Sequence, residues 1–322
     1  MKGEVGFMIE IQHVTKRYGD KLAVNDASFT IREGEILGFL GRNGAGKTTT
    51  MNIITGYISA SSGTVTLDGY DILANPREVK RRIGYLPEIP PLYPDMTVNE
   101  YLRFVCAIKD VRQNRVKSHL DDITSLVGLE EVRGRLIRNL SKGYRQRVGM
   151  AQALVGNPEV VILDEPTVGL DPKQILEVRR LIRQLGENHT IVLSSHILPE
   201  VADVCDRLVI IHQGRIVAED SLEHLIHPES ETRKVRLRVA GPEEEVLSAL
   251  RATEGVEQVD ALGTREADSA DYLLHAREGC DIRRAVFAAM AERGWPILIQ
   301  RPVDLELEDV FLQLTGDSGE EA

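Results

Sequence analysis

The sequence predicts an α/β chain followed by a small α+β module, on three observations. The apolar run Glu35–Leu40 leads through the glycine-rich Gly41-Arg42-Asn43-Gly44-Ala45-Gly46-Lys47-Thr48 into a helix-periodic stretch over 49–58. The short apolar runs Val160–Leu163 and Thr190–Ser195 read as buried strands of an open sheet, separated from the first by a mostly helical region. Beyond a polar, proline-containing stretch at 227–232 the pattern becomes strand-helix-strand, twice over, as in ferredoxin-like modules. With 322 residues the chain can bury a full α/β core and a second, smaller one. The expected boundaries are an α/β domain over 8–226 with a helical part at about 89–155, a linker at 227–232, the α+β module at 233–315 and a tail at 316–322.

In chain order, residues 1–7 show no pattern, and Met8–Val14 and Asp26–Ile31 alternate as half-buried strands. Between them lies the turn Arg17-Tyr18-Gly19-Asp20; an exposed Tyr18 ring there could stack on a purine base or cover a sheet edge. The eight residues from Gly41 to Thr48 then have the spacing of a phosphate-binding P-loop, in its required strand-loop-helix setting. Glycine lets the backbone wrap an oligophosphate so that N–H groups and a helix N-terminus face negative charge. Lys47 would reach the β- and γ-phosphates, and the Thr48 hydroxyl suits Mg²⁺, which commonly borrows substrate phosphates as ligands.

After that helix, Thr64–Leu67 and Ile83–Glu88 read as strands, the second running into the proline-rich Ile89–Pro94. Thr97 and Glu100 have capping-box spacing. Ser141 is a natural N-cap in Leu140-Ser141-Lys142-Gly143-Tyr144-Arg145-Gln146-Arg147, and Gly143 allows close approach to the first helical turn. The strand Val160–Leu163 ends in Asp164 and Glu165, placing two carboxylates where open α/β sheets bind ligands; Asp164 suits a Mg²⁺ shell and Glu165 the activation of water. Asp171-Pro172 is an N-cap followed by proline at the first helical position. His196 stands just past the strand Thr190–Ser195, and Arg207–His212 with Arg215–Glu219 form a hairpin through Gln213-Gly214. The α+β module is read as strand 235–239, helix 243–253, strands 256–262 and 272–276, helix 281–293, strand 297–301 and helix 307–314, with no motif that carries chemistry.

Charge narrows the partners. The net charge is −11, and residues 231–322 hold 11 Lys+Arg against 20 Asp+Glu, so an acidic module argues against nucleic acid. Three widely spaced cysteines match no metal spacing and imply reduced thiols in a cytosolic protein. No apolar run is long enough to cross a bilayer, so any membrane part is expected from another chain.

Taken together, Gly41–Thr48, Leu140–Gln146, Val160–Glu165, Gly169–Pro172 and His196 resemble the ATP-binding subunits of ABC transporters over roughly residues 8–225. The resemblance implies a P-loop NTPase domain with a helical subdomain, in which two subunits pair head to tail around two ATP molecules. By position it implies that Tyr18 stacks on adenine and that Gly41, Arg42, Asn43, Gly44, Ala45, Gly46, Lys47, Thr48 and Thr49 hold phosphates and Mg²⁺. Ser141 and Gly143 would face the γ-phosphate bound on the partner, Asp171 would line the dimer interface, Glu165 would be the base, and His196 would contact the γ-phosphate. Catalysis would then rest on Glu165, His196 and Lys47. Two residues depart from the pattern. Glu88, expected with Thr48 and Asp164 at the Mg²⁺ site where its carboxylate would order metal-bound water, replaces the usual glutamine in the loop between that site and the membrane partner, and Leu-Ser-Lys-Gly-Tyr replaces Leu-Ser-Gly-Gly-Gln. Both variants, and the ending Leu307–Leu312, look similar to the branch serving bacterial exporters of drugs, polysaccharides and gliding-motility systems. The implied protein is a cytoplasmic ATPase, peripheral at the inner face of the membrane, paired as a homodimer or heterodimer on a separate transmembrane permease. The other readings are the ATPase of an importer and a soluble ABC-type mechanochemical protein acting on nucleic acid or ribosomes.

Overall fold

The structure is a computed structural model that describes residues 7–221, 224–225, 234–266, 268–277 and 279–303. The linker at 227–232, the helix at 307–314 and the tail at 316–322 lie outside the described residues. The chain divides into two compact units between Leu222 and Glu223.

The first unit opens with β1 (Phe7–Tyr18) and β2 (Lys21–Arg32), an antiparallel hairpin longer than the alternation of the sequence suggests. Irregular register around Val14 and positive φ at His13 (52°) and Asp26 (54°) shift the phase of the pleat, so pairing continues where a simple period of two breaks. Together with β4 (Ser62–Leu67) and β5 (Tyr70–Asp71) they form a four-stranded sheet, order β2-β1-β4-β5. The second sheet has β3 (Ile36–Leu40), β6 (Ile83–Leu86), β7 (Val160–Asp164), β8 (Thr190–Ser195), β9 (Arg207–His212) and β10 (Arg215–Ser221), ordered β10-β9-β3-β8-β7-β6. Every pairing from β9 to β6 is parallel, and only β10 runs antiparallel. Strands β3, β7 and β8 are buried at every residue, as expected of parallel strands covered on both faces. One core joins the two sheets; Phe29 and Phe39 stack across it with ring centroids 5.3 Å apart.

Helix α1 (Lys47–Ile54) is shorter than the 49–58 periodicity, because Gly56 takes φ 65° and closes its end. The sequence reading missed α2 (Pro76–Arg82), although proline at its start, Glu78 in its first turn and three basic residues in its last are legible helix signals. Helices α3 (Val98–Ile108), α4 (Val116–Leu126) and α5 (Lys142–Leu154), with two 3₁₀ turns, form the helical region. The Thr97 and Glu100 box is present, with Glu100 N–H donating to Thr97 Oγ1 at 3.2 Å and Thr97 N–H to Glu100 Oε2 at 2.8 Å. Helices α6 (Pro172–Gly186) and α7 (Leu198–Ala202) complete the unit.

In the second unit, β11 (Lys234–Ala240), α8 (Glu243–Arg251), β12 (Val256–Glu266), β13 (Ser269–Ala276), α9 (Arg283–Glu292) and β14 (Ile297–Val303) follow the expected βαββαβ order. All pairings are antiparallel in the order β12-β13-β11-β14. Tyr272, Leu237, Val246 and Val286 are among the residues that fill its own core.

Candidate functional site

The parallel register determines what meets what. Leu40 of β3 pairs with Ser195 of β8, and Asp164 of β7 pairs with Ser194. The residues that follow these partners, Gly41, His196 and Glu165, therefore emerge side by side at the carboxyl end of the sheet. Gly41 N–H also donates to Ser195 O at 3.3 Å, which anchors the first residue of the loop to β8.

The loop from Gly41 to Thr48 is shaped by two left-handed glycines, Gly44 (φ 83°) and Gly46 (φ 113°). A Cβ on Gly46 would lie 2.5 Å from Ala23 O, whereas one on Gly44 would meet nothing within 4 Å. Gly46 is therefore required by protein packing and Gly44 by its conformation. The hairpin turn braces the loop from below, with Gly214 N–H donating to Ala45 O at 2.9 Å. Gly46 caps α1 without a side-chain acceptor, so the first-turn N–H groups are left to an outside anion. Arg42, Asn43, Gly44 and Thr48 are exposed, Thr49 half-buried, and Ala45 buried.

Lys47 is buried, and its ammonium donates to Gly41 O at 2.7 Å and Arg42 O at 3.3 Å. It also lies 3.2 Å from Glu165 Oε1. The other carboxylate oxygen, Oε2, is 2.8 Å from His196 Nδ1. A carboxylate can only accept, so the imidazole proton sits on Nδ1, and Nε2 points away from Glu165. Glu165 occupies the left-handed region (φ 49°), a conformation costing about 1–3 kcal/mol for such a residue. Its N–H donates to Ser194 O at 3.2 Å and Ser194 Oγ at 3.0 Å, which hold the turn.

Asp164 is fully buried, and Ser194 Oγ donates to its Oδ1 at 2.5 Å. Its Oδ2 is buried with no hydrogen-bond partner. Burial pushes the Asp164 carboxyl up, the Ser194 and Thr48 hydroxyls pull it back, and the charges of Glu165 and Glu88 add to the rise. An orphaned carboxylate oxygen near a threonine hydroxyl is what a hard cation would satisfy. No group of three or more His, Cys, Asp or Glu that could hold a metal ion exists among the described residues.

A second cluster forms at the starts of α5 and α6. Ser141 Oγ accepts from Tyr144 N–H at 3.3 Å, and Asp171 Oδ1 accepts from Gln174 N–H at 2.9 Å. Gly143 lies directly against the Gln174 side chain, and the Lys142 ammonium lies over Gly169.

The ABC transporter family model matches residues 24–168. The bacitracin transport ATP-binding protein BcrA of Bacillus licheniformis is 40% identical over 220 residues, covering 68% of this chain and 71% of that protein. The Nod factor export ATP-binding protein I of Burkholderia orbicola (strain AU 1054) is 35% identical over 311 residues, 96% of this chain and 97% of that protein. The chain belongs to the ABC transporter ATP-binding proteins. Its fold agrees: the dimeric structure of MJ0796, a bacterial ABC transporter cassette, superposes with a TM-score of 0.62 at 27% identity, covering 67% of this chain and 99% of that one.

In this ABC ATP-binding protein the remaining expected site residues lie outside the Lys47–Glu165–His196 cluster. Tyr18 ends β1 with its ring half exposed, and Lys16 Nζ lies 5.2 Å from the ring centroid. Glu88 is exposed after β6, close enough to act on Asp164 through its charge. Sequence reading missed Ser194, which serves Asp164 and Glu165 at once; its only signal was a hydroxyl residue at the end of an apolar strand. It also missed Tyr85, whose hydroxyl donates to Asn52 Oδ1 at 3.1 Å and whose pKa is raised by burial and by Asp164. No helix among the described residues is long and apolar enough to cross a membrane.

Proposed function

We propose that this chain hydrolyses ATP as the motor subunit of an ABC exporter, working in a head-to-tail pair on the inner face of a separate membrane permease. The observation that carries the hydrolytic part is the Glu165 carboxylate held between the Lys47 ammonium and His196, one residue beyond the strands that also deliver the P-loop. The names of the relatives, bacitracin transport and Nod factor export, support the export reading.

Lys47 links binding to chemistry. An incoming oligophosphate competes with Glu165 for the ammonium; once Lys47 turns to phosphate, Glu165 Oε1 is released to accept a proton from water while His196 still holds Oε2. The N–H groups at the start of α1 and the exposed Gly44 backbone cradle the phosphates. Thr48 and Asp164 would hold Mg²⁺, with Glu88 beside them, and a bound Mg²⁺ would neutralise phosphate charge. Tyr18 offers its ring to the base. Ser141, Gly143 and Asp171 would complete the site of a partner subunit, so that turnover requires both surfaces to close. The exposed Ile89 and Tyr93, in the proline-stiffened loop between β6 and α3, suit a grip on the permease, and the α+β module suits a role in docking or in steadying the pair.

The test is affinity purification of full-length Glu165→Gln from gently solubilised native cells with ATP and Mg²⁺, followed by mass spectrometry. A polytopic membrane protein in stoichiometric amount is expected. Ribosomes or DNA-associated proteins without a membrane partner would overturn the transporter reading, and a permease recovered with an external binding protein would turn it to import.

A further inference from the structure

The loop that follows β7 and the loop that follows β8 are tied to each other at two points. The first is the contact between His196 Nδ1 and Glu165 Oε2 at 2.8 Å. The second lies behind it: the Thr167 hydroxyl donates to Glu200 Oε2, and both residues are buried, with 7% of each exposed. Packing holds the two partners where they are. Thr167 follows the buried Pro166, and Glu200 stands in α7 beside Leu198 and Val201, which are buried as well.

Each end of this second tether is joined by short backbone bonds to a residue of the site. Glu165 takes φ 49°, and a strained conformation of this kind persists only where its surroundings over-determine it. The two turns beyond it are closed by Val168 N–H to Glu165 O at 3.3 Å and Leu170 N–H to Thr167 O at 3.1 Å, so fixing Thr167 fixes both. On the other side Ile197 N–H donates to Ser195 Oγ at 3.0 Å and Glu200 N–H to Ile197 O at 3.1 Å, so His196 and Glu200 belong to one tight bend. A buried carboxylate is costly to desolvate, and an apolar residue would pack α7 without that cost. The position of Glu200 therefore calls for a role beyond packing.

We propose that Glu200 is a positioning residue for hydrolysis: by accepting from Thr167 it locks the turn that carries Glu165 to the bend that carries His196. This rests on the reading that Glu165 is the base. When a phosphate draws Lys47 away, the Glu165 carboxylate loses one of the two side chains that hold it, and the tether keeps it aligned on the other. The effect of Glu200 is thus on the chemical step and not on nucleotide affinity.

The test compares Glu200→Ala, Glu200→Gln and Thr167→Val in the full-length chain. Glu200→Ala should lower kcat by about 10–100-fold, up to the scale of an ångström-sized misplacement, with the Kd for ATP unchanged. Glu200→Gln should restore kcat close to that of the parent, since an amide oxygen still accepts from Thr167. Thr167→Val, nearly isosteric and lacking the donor, should reproduce the loss even if Glu200→Ala proves too unstable to purify. In a Glu165→Gln background, Glu200→Ala should cause no further loss of turnover, because it acts through that carboxylate; a merely structural role would lower the residual rate or the ATP affinity again. Parental kcat in Glu200→Ala or Thr167→Val would overturn the proposal, as would a Glu200→Gln variant as slow as Glu200→Ala. Full turnover by Glu165→Gln would instead count against the proposed function, and hydrogen exchange would then decide the tether by itself. Faster exchange at the Glu165, Val168 and Leu170 amides in Glu200→Ala supports it, and unaltered exchange overturns it.

Discussion

Lys47 Nζ and Glu165 Oε1 stand 3.2 Å apart at the carboxyl end of the parallel sheet, with only 5% and 6% of their side chains exposed. The residue proposed to bind phosphate and the residue proposed to activate water are therefore each other's counter-charge. A buried pair of this kind contributes little net stability, because desolvation offsets the attraction, yet it is costly to break from one side. It is well suited to being exchanged for another ion pair when a phosphate arrives.

Glu165→Gln keeps the size of the side chain and removes its charge. ATP is expected to bind, and turnover to fall by about 10²–10⁴-fold, the usual worth of a general base. Single-turnover hydrolysis measured alongside nucleotide binding checks this, and full hydrolysis by the variant would remove Glu165 from its role.

Lys47→Ala should abolish measurable ATP affinity and also destabilise the chain. It leaves the buried Glu165 carboxylate with His196 as its remaining polar side-chain partner. Orphaning one side of a buried pair costs about 3–5 kcal/mol, so the urea midpoint should drop as well. Lys47→Met, which restores apolar volume without charge, should lose affinity just as fully. Unchanged ATP binding in either variant would sink the P-loop assignment.

Ser194→Ala removes the hydroxyl that donates to Asp164 Oδ1 and accepts from Glu165 N–H. We expect a loss of about 1–3 kcal/mol in equilibrium unfolding, from polar groups left buried without partners. Turnover should fall as well, since both carboxylates lose a support. A variant with wild-type stability and rate would show that the turn needs no such brace.

The α+β unit carries its own pH signature. Hydrogen bonds from Arg238 and Arg236 hold the buried Asp271 carboxyl at about 2. Its folded pKa lies below the unfolded value of about 3.9, so its stabilisation is complete above about pH 4 and disappears as pH falls toward 2. The protein's single tryptophan, Trp295, packs against this unit's core and supplies a fluorescence probe. Asp271→Asn should flatten the loss of stability between about pH 4 and 2 relative to the parent chain. Equal acid sensitivity in the two proteins would mean that the arginine pair does not act through Asp271.

Much of this protein was determined by its sequence alone. The P-loop spacing, the carboxylates after Val160–Leu163, the capping box at Thr97 and the βαββαβ order are all local signals, encoded within a few residues of where they act. The ends of α1 and β1 were misjudged because Gly56 and the irregular pairing near Val14 change the backbone phase without changing hydrophobicity. Tertiary structure alone decided that β3 lies between β9 and β8, with β7 next, and that order brings Lys47, Glu165 and His196 within hydrogen-bonding reach. It also decided that Ser194 serves two carboxylates. Periodicity records which residues are buried in a strand or helix, but it carries no information about which distant strand becomes the neighbour or in what register; that follows only when the whole sheet is assembled.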